Sequence, residues 1–135
     1  FVAWKMIAIH PFQSLYFSKV IDVNHKKYEV DYWGISGKKF LEDILIKEKN
    51  KEIIIIGVAA FLPLERSLAL FDDDIKGKFK IVGQDYNKAD YIFTNFVSDI
   101  GKYKNYKYEI PENFLLDHEF FVDSVKVFEV YKKAN

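Results

Sequence analysis

Asp31-Tyr32-Trp33-Gly34 sets a carboxylate directly before two aromatic rings and a glycine. Sugar-contacting surfaces use this combination: rings stack on the apolar face of a pyranose while an acid accepts hydrogen bonds from its hydroxyls. The same residues also have a purely structural use. Tyr32 and Trp33 carry large apolar areas that a strand can bury, and Asp31 can cap the turn that follows. Asp31, Tyr32 and Trp33 are the candidate sugar or partner contacts, and both uses stand side by side at this stage.

Other chemistry-bearing residues assemble less well. His10, His25 and His118 are too few and too scattered for His-x-x-x-His metal spacing, and no metal site is predicted. Asp72-Asp73-Asp74 offers hard oxygen ligands without the spacing of a calcium loop. These acids are expected to end a helix, where they would oppose its dipole. Gly57-Val58-Ala59-Ala60-Phe61 follows an isoleucine run, the place where open α/β sheets hold ligands. It has neither the glycine pattern of a dinucleotide turn nor the Gly-Lys-Ser of a phosphate loop. Ser67, Ser98 and Ser124 have no assignable histidine and acid partners. No catalytic residue and no cofactor is assigned, and this chain is expected not to be catalytic by itself.

These residues need a scaffold. Phe1 to Ile9 is apolar and predicts a strand or the trailing end of a membrane-proximal helix. Pro11 predicts the first turn of a helix running to about Val20. Lys27 to Trp33 predicts a strand. Ser36 is the predicted N-cap of a helix from Gly37 to about Lys49, with Phe40, Leu41, Ile44 and Leu45 buried. Glu52 to Val58, with consecutive isoleucines at 53–56, predicts a strand buried on both faces. A second helix is expected from Pro63 to about Phe71. Strands follow at Phe79 to Val82 and Ala89 to Phe96, and Gly101 to Glu109 reads as a surface loop. Glu119 to Val122 and Val125 to Tyr131 predict a hairpin around Asp123-Ser124. In its second strand, Val125, Val127, Glu129 and Tyr131 are expected on one face, opposite Lys126, Phe128, Val130 and Lys132. The order predicts an α/β layered sandwich: a mostly parallel central sheet flanked by helices, with a C-terminal antiparallel hairpin.

Composition narrows the function. The chain has 135 residues, enough for one domain, and half are hydrophobic, so a packed core is expected. Lys plus Arg total 20 and Asp plus Glu total 20, which leaves no basic surplus for nucleic-acid phosphates. With no cysteine, disulfides and thiolate chemistry are excluded. The longest apolar run, Ile53 to Leu64, falls short of the ~20 residues of a membrane span. Residue 1 is Phe rather than Met, as expected of a piece of a longer chain.

Four motifs carry a resemblance. They are His10 to Phe17 (His-Pro-aromatic-Gln-x-x-Tyr-Phe), Glu29 to Gly34 (Glu-x-Asp-Tyr-Trp-Gly), Ala89 to Asn95 (Ala-Asp-Tyr-Ile-x-Thr-Asn), and a final strand ending Tyr131-Lys132-Lys133. Together they resemble the soluble tail of bacterial dolichyl-phosphate-mannose-protein mannosyltransferase-like membrane glycosyltransferases. The departure is Ser18, where family members often have Asn. The resemblance implies that residues 1–135 are one globular domain of a longer membrane protein, on the periplasmic or extracellular side. It implies a polyprenyl-phosphate-sugar donor, with catalysis on a loop that these residues do not include. Implied partners are the membrane-embedded rest of the same chain and a glycan or lipid-linked acceptor. The rival expectation is a protein-interaction or oligomerisation module, from the aromatic content and the terminal hairpin.

Overall fold

The isoleucine run builds the centre of a sheet. Ile54–Val58 forms β1, flanked by parallel neighbours β2 (Phe79–Gly83) and β3 (Tyr91–Thr94). The computed structural model describes residues 2–13, 31, 34–61, 63–95 and 108–134. A hairpin of β4 (Phe114–Val122) and β5 (Val125–Lys133) joins antiparallel to β3, giving the order β2-β1-β3-β5-β4. The fold is therefore mixed α/β around a five-stranded mixed sheet. The hairpin lies at one edge, as expected. Parallel pairing joins β1 to its two neighbours, and the hairpin adds as many antiparallel pairings.

One face of the sheet carries the main core. Helix α2 (Ser36–Lys47) lays Phe40, Leu41 and Ile44 against Ile54, Ile56 and Val58 of β1 and against Phe93, Phe128 and Val130. The helical spacing of these residues puts them on one side. Lys38–Glu42 and Lys39–Asp43 then pair at i,i+4 on the wet side. Phe40 stacks on Phe93 at 4.7 Å between ring centres, and Phe120 on Phe128 at 5.0 Å.

The opposite face has a smaller cluster of Ala59, Tyr86, Ala89, Ile92 and Phe114. It explains how β2 reaches β3 through only residues 84–90, although parallel crossovers usually take a dozen residues or more. The connector crosses β1 at Gly57, and its 3-10 turn, Tyr86–Lys88, lays the Tyr86 ring on the strand. A Cβ at Gly57 would sit 2.9 Å from Tyr86 Cδ1 and 3.3 Å from Ile92 Cγ1. Absence of a side chain at position 57 therefore permits the short crossover.

Several elements differ from the sequence expectation. Residues at the chain start form helix α1 (Val2–Ala8). Pro11 does not open a helix: residues 9–11 turn, the His10–Pro11 peptide is cis, and Phe12 enters the core against Phe120. Residues 14–30 and 32–33 lie outside the described residues, and with them most of the helix expected from Pro11 and the strand expected from Lys27. The loop expected from Gly101 also lies outside them up to residue 107. The helix expected from Pro63 to about Phe71 is only the short α3 (Glu65–Leu68), and a second short helix, α4 (Asp73–Lys76), follows where the chain was expected to leave the helix. Asp72 takes the extended N-cap conformation of α4, with Asp73 and Asp74 in its first turn. The three acids therefore open a helix instead of ending one, and they favour its dipole.

The hairpin also departs from simple alternation. Asp123 and Ser124 have φ of 48° and 73°, the two left-handed positions of a tight type I′ turn. Phe121 pairs with Lys126 but Phe120 pairs with Phe128, so Val127 is a bulged residue. The bulge corrects the expected alternation: Val125, Val127, Phe128 and Val130 are all buried in one cluster. A second bulge at Asp117 lies between the Leu116–Tyr131 and His118–Val130 pairs. Among the described residues, no helix is long and apolar enough to cross a membrane.

Candidate functional site

Asp31 is buried, at 4 % exposure. Its carboxylate accepts the Ser36 backbone N–H at 3.2 Å (Oδ1), the Ser36 hydroxyl, and Asn95 Nδ2 at 2.8 Å (Oδ2). Its carbonyl accepts the Gly34 N–H at 2.9 Å and so closes a turn. Ser36 was the expected cap of α2, but it is the first helical residue, and no side chain at Ile35 caps the helix. The cap comes from five residues upstream: Asp31 satisfies an N-terminal N–H that would otherwise have no partner. A carboxylate here also favours the positive end of the helix. Tyr32 and Trp33 lie outside the described residues.

The junction sits at the carboxyl ends of the parallel strands. Asn95 directly follows β3, and Val58, Ala59 and Ala60 close β1. On the other side of Asp31, α2 and α3 come very close. Ser67 Oγ donates to the Gly34 carbonyl at 3.3 Å, and a Cβ at Gly37 would sit 2.9 Å from Leu64 Cδ1. Asp31, Ser36 and Asn95 thus occupy the position where α/β sheets hold ligands. Their polar atoms are turned on one another in the interior. Buried polar groups that satisfy each other in this way fix a unique packing. Asn95 lay in the third sequence motif. It was expected inside the strand from Ala89 to Phe96, and nothing in the sequence marked it as a partner of Asp31.

The opposite end of the parallel strands holds a second polar cluster that the sequence did not reveal. The Tyr91 hydroxyl donates to Glu48, and Lys47 and Lys132 lie over its ring at 5.7 and 5.3 Å. The Tyr91 bond holds the Glu48 carboxyl below its usual range, and burial pushes the Tyr91 phenol up. Asp90 accepts the Ile55 N–H at 2.9 Å and pairs with Lys51 at 2.8 Å. The Lys133 N–H donates to the Asp90 carbonyl at 2.9 Å. Burial works to raise Asp117, but bonds from Lys47 and His118 outweigh it and lower its pKa.

The remaining candidates do not converge. His10 is exposed and bonds Gln13 at 2.5 Å, while His118 lies in β4 beside Asp117 and Phe128. His25 lies outside the described residues. Among the described residues, no group of three or more acids and histidines could hold a metal ion. Ser67 is used by Gly34, Ser124 forms the hairpin turn, and Ser98 lies outside the described residues. The chain matches no family model, no curated protein and no solved structure.

Proposed function

We propose that this chain is a non-catalytic, extracytoplasmic domain of a membrane glycosyltransferase that uses a polyprenyl-phosphate-sugar donor. One observation carries the reading: motifs far apart in sequence meet in space, through residues that hold the fold. Asp31 of the second motif bonds Asn95 of the third. Asp90 and Tyr91 of the third contact Lys133 and Lys132 of the fourth. A shared scaffold would leave this signature. A shared reaction centre would instead set its motif residues in an accessible cleft.

The architecture we assign to the domain is a layered α/β sandwich. Helices α2 and α3 cover one face, and the second face has its own apolar cluster, which calls for a covering layer. The partners are the membrane-embedded part of the same protein and its acceptor glycan.

The test has two parts. The reading frame upstream of Phe1 should encode many ~20-residue apolar spans with acids on an early external loop. The 135-residue chain alone should transfer no sugar from a polyprenyl-phosphate donor. Transfer by this chain alone, or a short polar upstream frame, would overturn the proposal. An interaction module is the second reading. It is favoured by β4, an edge strand among the described residues, with Leu115 and Phe121 exposed. Concentration-dependent dimers in sedimentation would bring it forward.

A further inference from the structure

The second face of the hairpin carries an unusual grouping. Glu119 of β4 and Glu129 of β5 are direct cross-strand partners. Like charges placed opposite each other destabilise a sheet, and a Glu–Lys pair would serve folding better. Lys126 bridges the two, contacting Glu119 and reaching Glu129 at 2.6 Å. The Tyr131 hydroxyl donates to Glu129 at 2.7 Å. Phe121, the cross-strand partner of Lys126, is 49 % exposed, with the ammonium 5.9 Å from its ring centre. Its neighbour Phe120 faces the opposite way and packs against the core. The Glu119 side chain is 31 % exposed and the Lys126 side chain 37 %.

The geometry points to a saccharide-binding surface at Glu119, Phe121, Lys126, Glu129 and Tyr131, which takes a neutral glycan. An exposed aromatic ring offers an apolar platform to the C–H face of a pyranose. Beside it, carboxylates held in place by a lysine and a phenol accept charge-assisted hydrogen bonds from the sugar's hydroxyls. The ammonium is a donor for ring or hydroxyl oxygens. Two carboxylates against one ammonium disfavour phosphate or uronate groups, so the site suits an uncharged acceptor and not the phosphorylated donor.

Burial works to raise Glu129, but the bonds from Lys126 and Tyr131 outweigh it and lower its pKa, in keeping with a carboxylate held as a hydrogen-bond acceptor.

This inference rests on the glycosyltransferase reading but can fail separately from it. The 135-residue chain, labelled with 15N, is titrated with mannotriose to about 10 mM, and amide shifts are followed. Shifts should cluster on residues 116–131. Phe121→Ala should abolish them, and Glu119→Gln should weaken binding roughly five-fold or more. Both positions are solvent-accessible, and the unperturbed amide spectrum of each variant away from the hairpin checks that it folds. Glucose 1-phosphate should leave the spectrum unchanged. Silence with mannotriose, equal binding of the sugar phosphate, or undiminished binding by Phe121→Ala would overturn the site. Shifts confined to residues around Asp31 would also overturn it, while leaving the glycosyltransferase reading intact.

Discussion

Removing the Asp31 carboxylate tests whether this residue is a structural junction. In Asp31→Ala, the Ser36 N–H, the Ser36 hydroxyl and the Asn95 amide lose a shared acceptor in the interior. Ser36 is fully buried and Asn95 is 2 % exposed, so water cannot simply take the place of the carboxylate. A buried donor left without a partner costs about 1–3 kcal/mol, and loss of a helix cap costs about 1 kcal/mol. The Ser36 hydroxyl can rotate to a new acceptor, so the full sum is not reached. The expected loss is about 3–4 kcal/mol, or roughly 10 °C in melting temperature. Asp31→Asn keeps the shape and one acceptor oxygen, and it should lose about half as much. Urea unfolding of the wild type, Asp31→Ala, Asn95→Ala and the double variant gives the cycle, with slopes compared to confirm two-state behaviour. The Asp31–Asn95 coupling should be about 1–2 kcal/mol. A loss below about 1 kcal/mol for Asp31→Ala, or single-variant losses that add within about 0.5 kcal/mol, would refute the junction.

Three further outcomes follow from the same structure. Gly57→Ala should destabilise by about 1–3 kcal/mol, because the new methyl meets the Tyr86 ring at 2.9 Å; a Tyr86→Ala background should recover part of that loss in urea midpoints. Glu48 and Glu129 are both lowered in the fold from 4.5, so their contribution is present above that pH and is lost as pH falls through the lower folded values. Stability should hold from pH 7 to about 5 and decline below that, and Glu129→Gln should flatten the decline; an unchanged acid limb in the variant would remove this account. Deleting Val127 should remove the extra residue while keeping Lys126 opposite Phe121 and Phe128 opposite Phe120, so β5 should keep dispersed amide signals at the cost of one buried side chain, whereas collapse of dispersion around β5 would argue against the bulge.

The elements that could be read from sequence were those with a single strong pattern. Consecutive isoleucines favour a strand, and Ile54–Val58 became β1, although Ile53 stays half-exposed and Ile55 is only partly buried. Phe40, Leu41 and Ile44 have helical spacing, and they became the buried stripe of α2. Asp123-Ser124 between apolar runs became the hairpin turn. These features depend on neighbours within a few residues, whose geometry the chain itself imposes. Composition likewise set limits of its own: a chain without cysteine has no disulfide or thiolate chemistry whatever the fold, and a balanced charge leaves no net basic surplus.

Tertiary structure decided what depends on distant partners. Ser36 resembled a cap, but the carboxylate of Asp31 does the capping, and Asn95 holds that carboxylate from across the sheet. The strand period places Val127 and Phe128 on opposite faces, but the bulge forced by pairing with β4 buries both. The acids at 72–74 seemed to conflict with a helix end until the chain broke and began a new helix there. In each case the residue types were visible in the sequence. Their roles were fixed by hydrogen bonds and packing between segments that only the assembled sheet brings together, because local propensity is weaker than the cost of leaving a buried polar or apolar group without a partner.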